Sequence, residues 1–302
     1  IPDDELFKVP FETLCSELIK PGQADLSKIS YLIKSFNMSY HYSASLYMSG
    51  LSDNKITESS RDDDKKFIGF APVFSKYDND AGRLKNNYVS ASGRDSGRMN
   101  NQAADNDTKI NELKYSEHEV KSVAGLFSKT NTNSSDTSYV HVDATEDLFK
   151  KEIKNYKIIH IATHSYVNEL QPELSAVLFA QPRDSSASED GILYAGEIYN
   201  LDIKAHLVVL SSCESGLGKL IKGEGMMALN RGFLYAGASN VIFSLWKIPD
   251  LQTSELMIEF YKQMLTGKSY SESLRQAKLE LISKPSSSRP RSWAGFVLIG
   301  PG

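Results

Sequence analysis

A cysteine thiol becomes an effective nucleophile when a base or a positive neighbour helps it shed its proton, and histidine suits that task near neutral pH. The chain holds two cysteines and six histidines, and one of each closes an apolar run. Ile158-Ile159-His160-Ile161-Ala162-Thr163 leads into His164, and Leu207-Val208-Val209-Leu210-Ser211-Ser212 leads into Cys213, 49 positions later. If the two runs are neighbouring strands, imidazole and thiol meet. His164 is then a general base and Cys213 a nucleophile for attack on a carbonyl carbon. A thiol at its ordinary pKa of about 8.5 is only a few per cent ionised at neutral pH, so the base is needed. The backbone N–H groups of Ser165 and Cys213, at the tops of the two strands, would form an oxyanion hole contributing several kcal/mol to the transition state.

The other candidates for chemistry are weaker. A lone cysteine at a strand end is more often buried and inert, so joint placement with His164 carries the reading. Cys15 lies in Phe11-Glu12-Thr13-Leu14-Cys15-Ser16-Glu17-Leu18, which reads as an amphipathic helix, and is assigned to packing. His160 is expected to be a hydrogen-bonded core residue. A zinc site from His160, His164 and Cys213 lacks the usual ligand spacing. Gly216-Leu217-Gly218-Lys219 lacks the spacing of a phosphate-binding loop. No metal and no cofactor are expected.

These strands need a scaffold. From Tyr139 onward, strand-like and helix-like periods alternate, with turn signals between them. Strands are expected at Tyr139 to Val142, Ile158 to Thr163, Ala176 to Ala180, Ile192 to Tyr194, the Leu207 run, Ser239 to Trp246 and Gly295 to Ile299. Between them, Thr145 caps a helix through Ile153. A helix from Glu224 to Tyr235 stops at Gly237, Asp250 caps the next, and Ser269 with Glu272 makes a capping box for another. Upstream, Ser116 and Glu119 form a second capping box, and Phe67 to Phe74 is strand-like. Lys284 to Ser292 reads as an exposed loop. This rhythm predicts an α/β fold with right-handed crossovers and a mainly parallel central sheet flanked by helices.

Composition bounds the rest. The 302 residues, 40% of them apolar, can bury a full core, and the reading is one domain over 1–302 with a mobile insertion expected at 77–108. A net charge of −4 gives no basic footprint for nucleic acid or an anionic membrane, and neither is expected as a partner. No apolar run approaches the roughly 18 residues of a membrane span, and two cysteines give no disulfide framework, so a cytoplasmic location is expected. The chain opens on Ile1 and is read as a fragment without its N-terminal portion.

Taken with their flanks, these residues resemble the CHAT family of caspase-like (clan CD) cysteine peptidases, a domain often found after TPR repeats. Ile158 to His164 is similar to the family's histidine strand, and Leu207 to Gly216 to its cysteine strand. Gly223-Glu224-Gly225, Tyr235-Ala236-Gly237-Ala238, Ser244-Leu245-Trp246 and Trp293 to Gly300 resemble the segments that follow, and Pro10 to Leu14 an early signature. The order and the interval, near 50 residues from His to Cys, are those of caspase-type proteases. The resemblance implies a caspase-like three-layer fold and a cysteine endopeptidase acting on a protein substrate, with His164 as base and Cys213 as nucleophile. It also implies a regulatory partner or an upstream region such as TPR repeats. By order in the chain, Trp246, Lys247 and Asp250 would line the substrate cleft. Ser165 departs from the family, which usually has Gly after the catalytic histidine. A second reading is a catalytically inactive scaffold that binds a partner protein, and a third is an acyl-transfer hydrolase of small esters.

Overall fold

A computed structural model describes residues 9–18, 25–42, 65–74, 113–130, 136–168, 171–182, 188–211, 213–214 and 224–302, with the backbone alone at 65, 130, 213–214 and 224–227. The expected insertion at 77–108 and the Gly216 to Gly218 turn lie outside these residues.

In chain order the elements are β1 (Lys65–Ala71), α1 (Ser116–Thr130), β2 (Thr137–Val140), α2 (Glu146–Glu152), β3 (Tyr156–Ile161), β4 (His164–Tyr166), β5 (Ala176–Leu178) and β6 (Ile192–Tyr194). There follow α3 (Ala195–Ile198), β7 (Leu207–Leu210), β8 (Cys213–Glu214), α4 (Glu224–Tyr235), β9 (Asn240–Ser244), α5 (Asp250–Met264), α6 (Tyr270–Ser283), α7 (Pro290–Trp293) and β10 (Phe296–Ile299). Among the described residues, six strands form a sheet in the order β10-β9-β7-β3-β1-β2. Every neighbouring pair is parallel except β9 with β10. A second sheet, β6-β5-β4-β8, is antiparallel except where β4 meets β8.

The strands of the large sheet are continuous apolar runs because both faces are buried, and their side chains alternate between two cores. Phe67, Ile158, Leu207, Val209 and Ile242 pack with Val123 and Phe127 of α1, Leu256 and Phe260 of α5, and Leu274 and Leu281 of α6. Ile68, Ile159, Val208 and Val241 face the other way, against Phe149 of α2, Ile198 of α3 and Phe233 of α4. The result is the expected three-layer arrangement of a mainly parallel sheet between helices.

Several local expectations hold. The Thr145 side chain accepts from the Leu148 N–H at 3.3 Å and Ser269 from that of Glu272 at 3.2 Å, so both cap their helices. Gly237 ends α4 at φ 114°, and an added Cβ would stand 2.1 Å from the Ile203 carbonyl oxygen. Others need correction. Phe11–Thr13 is a single 3-10 turn and Cys15 forms an isolated antiparallel bridge with Tyr31, so no amphipathic helix runs through this stretch. Residues 284–292 are not wholly exposed loop: Ser287 is buried with its hydroxyl donated to Leu281 O, and α7 opens at Pro290.

The N-terminal stretch is a strap laid across the C-terminal elements. Tyr40 donates its N–H to Leu298 O, Gly300 donates to Tyr40 O, and Arg275 of α6 donates to the carbonyls of Ile33 and Lys34. Glu12, 3% exposed, meets Lys278 of α6 at 2.8 Å.

Candidate active site

The two apolar runs do not end where the sequence suggested. β3 stops at Ile161 and β4 opens at His164; β7 stops at Leu210 and β8 opens at Cys213. Both strands therefore leave the large sheet and resume in the small one after the same interval. The register survives the break: Ile161 pairs with Leu210 in the large sheet, and His164 pairs with Cys213 in the small one. Neighbouring strands lie about 4.8 Å apart, so residues 164 and 213 are adjacent positions on one face.

Alternation identifies that face. Tyr166 pairs with Ala176, Ala176 with Tyr194 and Leu178 with Ile192, which puts these residues in a layer with His164, two positions before Tyr166. Phe74 packs into this layer, its ring 5.7 Å from the His164 imidazole and tilted by 38°. Val177 and Leu193, on the opposite face, belong to the main core. His164 is 4% exposed.

Ser165 is paired with Val177 on that opposite face and is buried. Among the described non-glycine residues only His141 has a positive φ, so Ser165 causes no left-handed strain where the family usually has glycine. Its strand has β5 on one side and β8 on the other, so the Ser165 N–H is directed at a neighbouring strand.

Of the expected cleft residues, Trp246 is the most firmly placed. Leu210 pairs with Phe243, so Cys213 and Trp246 each stand three residues beyond a shared row on adjacent strands. The indole N–H donates to Arg291 O at 3.0 Å, and the ring lies so close to Gly295 that a Cβ there would be 3.0 Å from it. Lys247 is exposed. Asp250 is the first residue of α5 and not its cap, which is Pro249. Its carboxylate accepts the Tyr115 N–H at 2.8 Å, and burial pushes its pKa up.

His160 is the core residue that was expected, fully buried between Glu119 of α1 at 2.8 Å and the Tyr261 hydroxyl of α5 at 3.1 Å. Glu119 is thus committed to His160 and completes no capping box, while Ser116 donates its hydroxyl to Leu113 O. The overlooked signal was a carboxylate on the same stripe as Val120 and Val123, since a charge facing a core demands a buried partner. Nothing in residue spacing singles out Phe74.

The far edge of the small sheet is tied down by charge. The Lys150 ammonium lies 2.7 Å from Glu146, 2.6 Å from Glu189 and 2.8 Å from Glu197. These three carboxylates have oxygens within 4.8 Å of one another, but Lys150 is already the cation among them. Glu146 also accepts the Gly191 N–H. Burial, opposed by Lys150, pushes its carboxyl up to about 7, and burial raises Asp190 as well. The hydrogen bond from Lys150 holds Glu189 below the ordinary carboxylate range. A carboxyl whose pKa is raised by folding binds its proton more tightly in the native state, so stability falls as pH rises from about 4.5 through 7 and then levels off. Glu189 works in the opposite sense only below about 4.5. Thermal unfolding across this window is expected to show a decline on the order of 1–3 kcal/mol that Glu146→Gln reduces to the part due to Asp190. An unchanged slope in that variant would refute the assignment.

Among the described residues no helix is long and apolar enough to cross a membrane. A chain of the Saccharomyces cerevisiae separase-securin complex superposes with a TM-score of 0.47 at 15% identity, over 88% of this chain and 14% of that one. Tetratricopeptide repeat protein 28 of Mus musculus is 38% identical over 109 residues, 36% of this chain and 4% of that protein. The Homo sapiens protein of the same name is 35% identical over 117 residues, 39% and 5% respectively. The chain therefore matches only about one-twentieth of the length of these relatives. The profile of the family described as CHAT domain matches residues 1–301, and this chain belongs to that family.

Proposed function

We propose that the chain is a cysteine endopeptidase in which His164 takes the proton of the Cys213 thiol and the thiolate attacks a peptide carbonyl. The imidazolium then returns the proton to the leaving amine. Water, deprotonated by the same imidazole, hydrolyses the thioester. The single observation that supports this reading best is the pairing of residues 164 and 213 as register partners in parallel strands. In this reading the Cys213 N–H, with that of Ser165 shared between substrate and ladder, receives the oxyanion. Trp246 and Lys247 meet the substrate chain, and Asp250 sets their loop by holding Tyr115. The substrate is a protein, and the TPR repeats in the names of both curated relatives favour a TPR region or partner as the regulator. Membership of the family is equally compatible with an inactive scaffold, and the 4% exposure of His164 favours that second reading.

Thiol alkylation separates the two. A dyad gives a Cys213 reaction profile extending well below the free-thiol midpoint of about 8.5, and His164→Ala removes that extension. A scaffold gives a profile near that of a free thiol, indifferent to His164.

A further inference from the structure

Phe74 belongs to none of the roles assigned so far, yet its ring is the neighbour of the proposed base. Among the described residues, the apolar layer around His164 has five buried members: Tyr166 from β4, Ala176 and Leu178 from β5, Ile192 from β6, and Phe74. Four come from the small sheet itself. The fifth, Phe74, comes from elsewhere in the chain, three residues past β1 in the large sheet, and it is 3% exposed.

We propose that Phe74 is the positioning residue of His164, an aromatic wall that fixes the plane of the imidazole beside residue 213. This inference rests on the reading of His164 and Cys213 as a dyad. The ladder between β4 and β8 sets the backbone spacing of residues 164 and 213, while the plane of the imidazole is set by what its side chain packs against. A ring 5.7 Å away on the same face restricts rotation of that plane and keeps water from the apolar side of the imidazole. Proton transfer between thiol and imidazole needs both, because it requires hydrogen-bond reach in a defined direction. A misplacement of about 1 Å at a reacting group costs up to roughly 100-fold in rate.

The test is the pH dependence of iodoacetamide alkylation, read at the Cys213 peptide by mass spectrometry so that Cys15 does not contribute. It uses the full chain as wild type, Phe74→Ala, Phe74→Leu, Phe74→Tyr, His164→Ala and the Phe74→Ala/His164→Ala pair. Phe74→Ala is expected to lower the reaction rate at neutral pH roughly tenfold and to move the midpoint up towards about 8.5. Phe74→Tyr, which keeps the ring, should restore the wild-type profile, and Phe74→Ala should add nothing to His164→Ala. If the alanine variant fails to fold, Phe74→Leu, apolar but ringless, carries the same expectation. A wild-type profile that depends on His164 and survives the loss of the ring overturns this inference alone. An equal effect of Phe74→Ala with and without His164 also overturns it, since that marks general loosening. Indifference of the wild type to His164→Ala overturns the dyad reading and this inference with it.

Discussion

Cys213→Ala is expected to abolish processing of the protein substrate while the protein remains folded, and His164→Ala to follow it most of the way. Removing a thiol nucleophile leaves no route to the acyl intermediate, and losses of roughly 10⁴-fold or more accompany such deletions. Loss of the base costs less, roughly 10²–10⁴-fold, because hydroxide in solution can still ionise some of the thiol. The two losses should not add, since each removes the same step. New N-termini formed in a lysate by the wild type, and missing with Cys213→Ala, are the readout. Cleavage that persists in Cys213→Ala would end the peptidase reading. If neither protein cuts anything while the wild-type thiol shows no dependence on His164, the scaffold reading takes its place.

Lys278→Ala is expected to cause a large loss of stability although it lies outside the site. Lys278 and Glu12 are 1% and 4% exposed at their side chains, 2.8 Å apart, and the Tyr40 hydroxyl donates to the second Glu12 oxygen at 2.6 Å. Burial works against the Glu12 charge, yet Lys278 and Tyr40 hold its pKa below the ordinary value. Deleting the ammonium strands a carboxylate in the interior, which typically costs about 3–5 kcal/mol. The paired change Glu12→Gln/Lys278→Met removes both charges and should lose much less. Equilibrium denaturation compares the two. A loss under about 1 kcal/mol in Lys278→Ala would show that the strap lifts and hydrates Glu12 without unfolding the rest.

The elements from Tyr139 onward were legible because each is governed by local chemistry. Apolar strands buried on both faces, Thr145 and Ser269 as caps, and Gly237 after α4 all declare themselves within a few residues. Boundaries failed where the strands change sheets, since Ile158 to Thr163 reads as one run although pairing divides it at Ile161. Pairing partners are decided far away in the chain, and composition does not register them. Long-range polar contacts were hidden for the same reason: Glu119 suits a capping box by spacing, Asp250 suits an N-cap, and both spend their carboxylates on another element. Of the site, the two residues that meet by register were readable from order and interval. Phe74 was not, because its role depends on how the large sheet folds over the small one.

The carry-over of register from β3–β7 into β4–β8 has a mechanical consequence. Residues 164 and 213 sit on one hydrogen-bonded raft, joined to the large sheet through the short stretches that follow Ile161 and Leu210. The opposite face of that raft, with Val177 and Leu193, is packed into the main core, so the raft is held to the large sheet by packing as well as by the chain. The spacing between positions 164 and 213 is therefore fixed by the same ladder and core that hold the rest of the fold together, and a change that disturbed it would have to disturb that core as well.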